Sequence, residues 1–228
     1  MNDSWHLLRS GASGFAENMA LDQALLEHAP KLGQPLLRFY GWAEPAASFG
    51  YFQKYAEVEK MTLLRPLVRR PTGGGLVPHD ADWTYSLAFP PSHDWYALKA
   101  VESYQRVHEW IRAAFQKLGI ASELAQSCSV CGPGQCFEGW EKSDVLWRGK
   151  KIAGAAQRRT RDGLLIQGSV QPPPMKITRP DWERAMCAVA EEEFLVKWLD
   201  FQPGEDLRRR AVDLAENTYA QASYNRKR

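Results

Sequence analysis

The spacing of apolar and polar residues predicts helices and strands that alternate in blocks along the chain. Apolar residues recur every three or four positions in 15–28 and 100–119, which predicts two helices. Strict alternation in 83–89 (WTYSLAF) predicts a strand. Residues 38–52 read as two short strands about a turn at Glu44-Pro45. The apolar face expected for the second helix comprises Val101, Tyr104, Val107, Ile111, Phe115 and Leu118, with His108 at its edge.

The residue pattern in the second half of the chain predicts two bends and two further helices. Residues 145–159 read as a hairpin with Gly149-Lys150 at the bend, and Asp162-Gly163 forms a second bend. Helices are expected around 180–197 and 204–220. The expected fold class is therefore α/β (α+β), with mixed, mostly antiparallel sheets packed against helices. We expect residues 1–228 to form a single catalytic domain without a separate C-terminal accessory domain.

Composition narrows the class of protein further. The 228 residues include 44% apolar and 25% charged residues, an ordinary globular balance. A net charge of +2 gives no reason to expect nucleic-acid binding, and no apolar run approaches the ~20 residues of a membrane span. The N-terminus lacks a secretory signal pattern, and four cysteines are too few for a disulfide scaffold. These features predict a cytoplasmic protein with free thiols.

A run of three glycines is the first candidate for ligand binding. Gly73–Gly75 lie within VRRPTGGGLVPHD, preceded by Arg69 and Arg70 and followed by His79. Consecutive glycines permit positive φ and let a ligand approach the backbone closely. The run lies between two predicted strands, and the pattern matches neither a Walker phosphate loop nor a dinucleotide fingerprint. We expect a loop that cradles a ligand.

Three cysteines form the second candidate. Cys128, Cys131 and Cys136 have the spacing C-x2-C-x4-C, upstream of Lys151. A closed zinc site requires four ligands, so the fourth would have to come from a distant residue such as His79 or His93. From the residues alone, the cluster fits a metal site, an oxidation-sensitive disulfide or a nucleophilic thiol.

Several motifs together resemble the biotin/lipoate protein ligase superfamily. RRPTGGGLVPHD resembles its RRxTGGG…HD motif, and GKKIAGAAQRR (149–159) resembles its lysine motif. Residues 18–26, 38–53 and 166–170 resemble other family segments in the same order. The resemblance implies the catalytic-domain fold of the biotin and lipoate ligases.

Within the superfamily, the chain is most similar to the ligase-like, cysteine-dependent octanoyltransferases. There a Cys-Phe pair precedes the lysine motif, as Cys136-Phe137 precedes Lys151 here. The resemblance implies Cys136 and Lys151 as catalytic residues, although Cys131 aligns if a gap is allowed and Cys128 lies nearby. The residues implied to bind substrate are Arg69, Arg70, Thr72, Gly73, Gly74, Gly75, His79, Gly154, Ala156 and Gln157.

The resemblance also implies partners. The acyl donor would be octanoyl-acyl carrier protein. The acceptor would be a lipoyl-domain protein, either the glycine cleavage H protein or the lipoyl-bearing acyltransferase subunit of a 2-oxoacid dehydrogenase. No cofactor is needed for this transfer, and a monomer is expected. The same motifs fit an ATP- and magnesium-dependent lipoate or octanoate ligase, or an amidotransferase that moves octanoyl between lipoyl domains.

The sequence also predicts roles for several other side chains. Phe49, Leu76, Trp83 and Tyr85 are expected to line an eight-carbon slot. Arg69 and Arg70 would either fix the glycine loop or contact the carrier. His79 would orient the loop rather than act as a base. Cys187 is expected in the core.

Overall fold

A computed structural model of the chain describes residues 3–129, 134 and 137–227. The strands are β1 (Asp3–Ser13), β2 (Leu36–Trp42), β3 (Ala46–Phe49), β4 (Leu67–Arg69), β5 (Val77–His79), β6 (Trp83–Phe89), β7 (Glu123–Leu124), β8 (Val145–Trp147), β9 (Lys150–Thr160), β10 (Gly163–Val170) and β11 (Val196–Asp200). The helices are α1 (Phe15–Leu32), α2 (Tyr55–Val58), α3 (Asp94–Ala97), α4 (Ala100–Lys117), α5 (Arg179–Glu193), α6 (Glu205–Leu214) and α7 (Ala222–Asn225), with a π-helical turn at Ala215–Tyr219.

The described strands form one large sheet and one small sheet. The large sheet has the order β11-β1-β2-β6-β10-β9-β8-β7. β1 runs parallel to β11 and β2, and the other neighbours are antiparallel. The small sheet has the order β4-β3-β5. The expected class, mixed and mostly antiparallel sheets packed with helices, is confirmed.

Helices cover the large sheet with two apolar clusters. One cluster joins sheet residues such as Tyr85 to Trp110 of α4 and Trp182 of α5. The other joins Leu25 of α1 to Leu207 of α6. All seven residues of β6 are buried, because this central strand carries packed side chains on both faces.

The helix ends follow local chemistry. Gly119, with φ of +74°, follows the end of α4, where a left-handed residue closes the helix. Thr178 begins α5 with a capping box, accepting from the backbone N–H of Asp181 while the Asp181 carboxylate accepts from the Thr178 backbone. None of the helices in the described ranges is long and apolar enough to cross a bilayer.

Several sequence predictions needed correction. The helix expected to 197 ends at Glu193, and Val196–Asp200 form strand β11. Strand β1 was not predicted, because its exposed and buried positions do not alternate regularly. Val101 is 74% exposed rather than on the buried face of α4.

The two bends also differ from their predicted positions. The hairpin turns at Arg148 and Gly149, whose φ values are +49° and +71°. Two positive φ values are what a two-residue hairpin with matched twist requires. β9 then begins at Lys150, one residue earlier than the predicted bend implied, and the second bend precedes Gly163, where β10 begins.

Candidate active site

The glycine motif forms the loop between β4 and β5, as expected. Gly74 has φ of +83°, in the left-handed region that glycine enters without a steric penalty. A Cβ atom on Gly50 would collide with the carbonyl oxygen of Gly74. The loop therefore depends on one glycine for its torsion angle and on another for close backbone packing.

The two arginines before the glycines are buried, and both bind backbone carbonyls. Arg70 donates to the carbonyl oxygens of Gly73 at 2.5 Å and Gly75 at 2.8 Å. Arg69 donates to the carbonyl oxygen of Tyr51 at 2.7 Å. These contacts are the ones a loop-fixing role requires, one of the two roles that the sequence left open.

His79 lies at the end of β5 with hydrogen bonds at both ring nitrogens. Its Nδ1 is 2.9 Å from the Asp82 carboxylate, and its Nε2 is 2.8 Å from Ser48 Oγ. The ring stacks on Trp42 with centroids 3.9 Å apart. The Asp82 carboxylate also accepts from Ser169 Oγ at 2.7 Å. His79 thus joins the small sheet to the large one, consistent with an orienting role.

A buried chain of polar contacts connects the glycine loop to α1. Thr72 Oγ1 donates to Gln167 Oε1 at 2.8 Å, and Gln167 Nε2 donates to Asp22 at 2.7 Å. Asp22 pairs with Arg38 at 2.6 Å, and Arg38 also donates to Asn18 Oδ1 at 2.8 Å. Motif segments that are far apart in sequence therefore meet in one network.

Lys151 projects from β9 into a buried ion pair. Its Nζ lies 2.7 Å from Asp144 Oδ2, and the two side chains are 7% and 0% exposed. The Nζ also lies 5.3 Å from the centroid of the Phe137 ring. Gly154 makes room for it, since a Cβ there would lie 2.5 Å from Lys151 Cε. The lysine motif thus places one ammonium group in a narrow, nearly dry position.

Lys151, Arg70 and His79 line one cleft, which is bordered by residues of both sheets. Its walls are largely apolar, and its floor includes the small residues of β9 and β10. The other lining residues are Met19, Tyr40, Trp42, Ser48, Val77, Thr84, Phe137, Gly154, Ala155, Ala156, Gln167, Gly168 and Ser169.

Only some of the predicted substrate-binding residues line this cleft. Four of them do: Arg70, His79, Gly154 and Ala156. Arg69, Thr72 and Gly73–Gly75 belong to the loop and its supports. Gln157 instead donates to the carbonyl oxygen of Ala100 at 2.7 Å, which ties β9 to α4.

The expected slot residues lie elsewhere, so that prediction was wrong. Trp83 and Tyr85 pack in the core beneath α4 and α5. Phe49 and Leu76 pack in the apolar cluster of the small sheet. Alternation identified which β6 residues share a face, but not which face meets the cleft.

The predicted nucleophile Cys136 and its alternative Cys131 lie outside the described residues. Cys128 is exposed, and its Sγ lies 3.2 Å from Glu141 Oε2. Cys187 is buried in the core as predicted, where burial raises the pKa of its thiol to about 11. The part of the chain that the structure describes contains no group of three His, Cys, Asp or Glu side chains able to hold a metal ion.

Two described residues close to Cys136 in sequence, Gly134 and Phe137, contact the glycine loop and the cleft respectively. The carbonyl oxygen of Gly134 accepts from the backbone N–H of Leu76 at 2.7 Å and from Gln53 Nε2 at 2.9 Å. Phe137 lines the cleft beside Lys151. Gly134 thus contacts the end of the glycine loop, and Phe137 lies beside Lys151.

Asp144 and Tyr104 are site residues that sequence reasoning missed. Tyr104 Oη donates a short hydrogen bond to Asp144 Oδ1. The observed hairpin register would have identified Asp144: Leu146 pairs with Lys151, and Asp144 is two residues from Leu146, whereas the bend predicted at Gly149-Lys150 would have set Arg148 opposite Lys151. Diagonal neighbours of this kind lie within reach of a long side chain. Tyr104, on a helix, carried no comparable signal.

A family model described as the lipoyl protein ligase A/B catalytic domain matches residues 15–171. The chain belongs to this family. Both the glycine loop and the lysine hairpin lie inside the matched region.

Relatives in the family carry a more specific name. "Octanoyltransferase LipM" from Bacillus subtilis (strain 168) is 35% identical over 183 residues, covering 74% of this chain and 65% of that protein. The protein of the same name from Oceanobacillus iheyensis is 38% identical over 177 residues, covering 75% of this chain and 64% of that protein. The chain therefore spans slightly less than two thirds of the length of these relatives.

Solved structures agree on the fold. A putative lipoate protein ligase from T. acidophilum superposes with a TM-score of 0.81 over 100% of both chains, at 20% identity. A lipoate-protein ligase A bound with ATP superposes with a TM-score of 0.80 over 99% of both chains, also at 20% identity. At 20% sequence identity, this structural similarity establishes that the chain has the fold of the lipoate ligase catalytic domain, and nothing more.

Proposed function

We propose that this chain is an octanoyltransferase of protein lipoylation. It moves octanoyl from acyl carrier protein to a lysine of a lipoyl domain through a thioester on Cys136, as a cytoplasmic monomer without a cofactor. The observation that carries the proposal is the buried Lys151 ammonium beside Phe137, the residue that follows Cys136 in sequence. The name of the LipM relatives supports octanoyl transfer, without specifying the donor or the thioester.

The first step exchanges one thioester for another. The Cys136 thiolate attacks the octanoyl carbonyl, a new C–S bond forms, the C–S bond to the carrier breaks, and the carrier leaves as a thiolate. Such an exchange has a small free-energy change and needs no ATP. A thiol with a pKa of ~8.5 is only a few per cent ionised at neutral pH. Lys151 therefore serves to stabilise the thiolate and the oxyanion that forms during attack.

The second step forms an amide. The amine of the lipoyl-domain lysine attacks the octanoyl thioester, the C–S bond breaks, and the Cys136 thiolate leaves. The amine loses one proton, and the departing thiolate is a base that can accept it. Lys151, placed beside Asp144, is the other group near the cleft that could take this proton, and its side chain can also stabilise the oxyanion of this step.

The cleft suits a medium-length acyl chain. Met19, Trp42 and Val77 contribute apolar wall, and the small residue Ala156 leaves room along β9. Each buried methylene contributes ~0.8 kcal/mol, so an eight-carbon chain gains several kcal/mol over a two-carbon chain. The slot is formed by these residues rather than by the four expected from sequence.

The family fold also supports a second candidate. One of the superposed structures is a lipoate-protein ligase A bound with ATP. A ligase would use Lys151 to activate lipoate or octanoate with ATP and magnesium, leaving Cys136 without a role. An amidotransferase would take octanoyl from a second lipoyl domain through the same thioester.

Supplying the protein with one donor at a time separates these reactions. A purified lipoyl domain is incubated with the protein and octanoyl-acyl carrier protein, free octanoate with ATP and magnesium, or an octanoylated lipoyl domain of different mass. Acylation of the acceptor is followed by mass spectrometry. We expect product from the carrier without ATP. Product only with octanoate and ATP would establish a ligase, and product only from the acylated domain would establish an amidotransferase.

A further inference from the structure

The buried ion pair of Lys151 continues into α4. Asp144 accepts hydrogen bonds on both carboxylate oxygens: Lys151 Nζ and the backbone N–H of Glu141 donate to Oδ2, each at 2.7 Å, and Tyr104 Oη donates to Oδ1. The carboxylate is fully buried. A charge in such a place requires several donors, because it has lost its hydration.

The neighbours of this carboxylate are neutral at physiological pH. Burial, followed by the Asp144 charge, raises the pKa of Tyr104 above its ordinary value. Burial lowers the pKa of His108 to about 4, and its ring lies 4.2 Å from that of Tyr104. Tyr104 therefore contributes a hydrogen bond to Asp144 rather than a charge.

Lysine has a flexible four-carbon stem, so its direction depends on what surrounds it. Gly154 leaves the space that the stem occupies, and Phe137 lies to one side of the ammonium. Asp144 is the charged partner among these contacts, and its rotation would redirect the ammonium. Tyr104 holds the oxygen that does not face Lys151, and this contact opposes that rotation.

We propose that Tyr104 is a positioning residue that acts through Asp144 to aim the Lys151 ammonium into the cleft. This inference rests on the proposed function only for its effect on rate. The arrangement itself predicts how readily the Lys151 amine reacts with an acylating reagent, and this reactivity can be measured without any acyl substrate of the proposed reaction.

Amine labelling measures the reactivity of Lys151. The protein is treated briefly with an N-hydroxysuccinimide ester of acetate, and acetylation of Lys151 relative to the adjacent, exposed Lys150 is quantified by peptide mapping. Tyr104→Phe removes only the hydroxyl, and we expect it to raise the Lys151 to Lys150 ratio several-fold. Tyr96→Phe is the matched control: its hydroxyl donates to the Thr160 carbonyl oxygen at 3.0 Å, so its loss should leave the ratio unchanged.

Kinetics provide the second readout. We expect Tyr104→Phe to lower kcat for octanoyl transfer about tenfold with a much smaller change in KM, corresponding to one hydrogen bond to a charged group. In an Asp144→Asn background the same substitution should have little further effect, because Tyr104 acts through that carboxylate. A merely structural tyrosine would give additive losses.

The outcomes distinguish the two proposals. An unchanged labelling ratio in folded Tyr104→Phe protein, checked by thermal melting, would overturn the positioning role. Additive losses in the Asp144→Asn background would also overturn it. A raised ratio in a protein that transfers no octanoyl from any donor would support the positioning role and reject the octanoyltransferase.

Discussion

Replacing Lys151 with methionine is expected to lower the rate of octanoyl transfer by about a hundred- to a thousandfold, the usual effect of removing one donor to a developing oxyanion. The side chain is 7% exposed and its Nζ lies 2.7 Å from Asp144. Methionine keeps a similar length without the charge. The rate is measured at saturating octanoyl-acyl carrier protein with a lipoyl domain as acceptor.

This substitution needs controls because it leaves Asp144 buried without its cation, which commonly costs about 3–5 kcal/mol. The double variant Lys151→Met/Asp144→Asn removes both charges, and it should regain stability but not activity. Lys150→Met changes the exposed lysine next to it and should keep near wild-type rates. A folded Lys151→Met protein with a rate within tenfold of the wild type would contradict the proposed role.

Arg38→Met is expected to lower the stability of the fold strongly. Arg38 and Asp22 form an ion pair at 2.6 Å, and both side chains are completely buried. Removing the guanidinium leaves the Asp22 charge uncompensated and the Asn18 side chain without one donor. We expect a decrease of about 3–5 kcal/mol in the free energy of unfolding. For a chain of this size, that lowers Tm by roughly 10 °C.

Urea and thermal unfolding of the variant measure this loss. Arg209→Met is the matched control, since Arg209 forms an exposed i,i+4 pair with Glu205 at 2.7 Å and should contribute little. The Asp22 network also supports Gln167 at the cleft floor. Arg38→Met should therefore lower activity even at temperatures at which the variant is still folded. A loss of less than about 1 kcal/mol would show that the pair is dispensable.

The functional motifs were predictable because their residues are contiguous in sequence. The glycine loop has three adjacent glycines, and Lys151 lies in a hairpin whose bend is marked by Gly149. The partners of Lys151 were harder to find. Tyr104 is 47 positions earlier, on a different element, and only the packing of α4 against β9 brings it near. Apolar periodicity does not report such contacts.

Local sequence patterns also failed to predict the pairing of β1 with β11 and the residues that face the cleft. β1 and β11 pair in parallel across nearly the whole chain, with Asp3 opposite Val196. Parallel pairing of distant segments leaves no local turn signal. In β6, alternation correctly predicted a strand, but every residue is buried. The pattern therefore could not show which side chains face the cleft, and Trp83 and Tyr85 were assigned to the wrong side.

The most direct test of the central claim is the intact mass of the protein after incubation with octanoyl-acyl carrier protein in the absence of ATP. If Cys136 carries the octanoyl group, the mass increases by one octanoyl group that hydroxylamine removes, in the wild type and in Cys128→Ala and Cys131→Ala. The adduct should be absent from Cys136→Ala. An adduct that persists in Cys136→Ala, or no adduct in a wild-type protein that acylates lipoyl domains only with ATP and free octanoate, would contradict it.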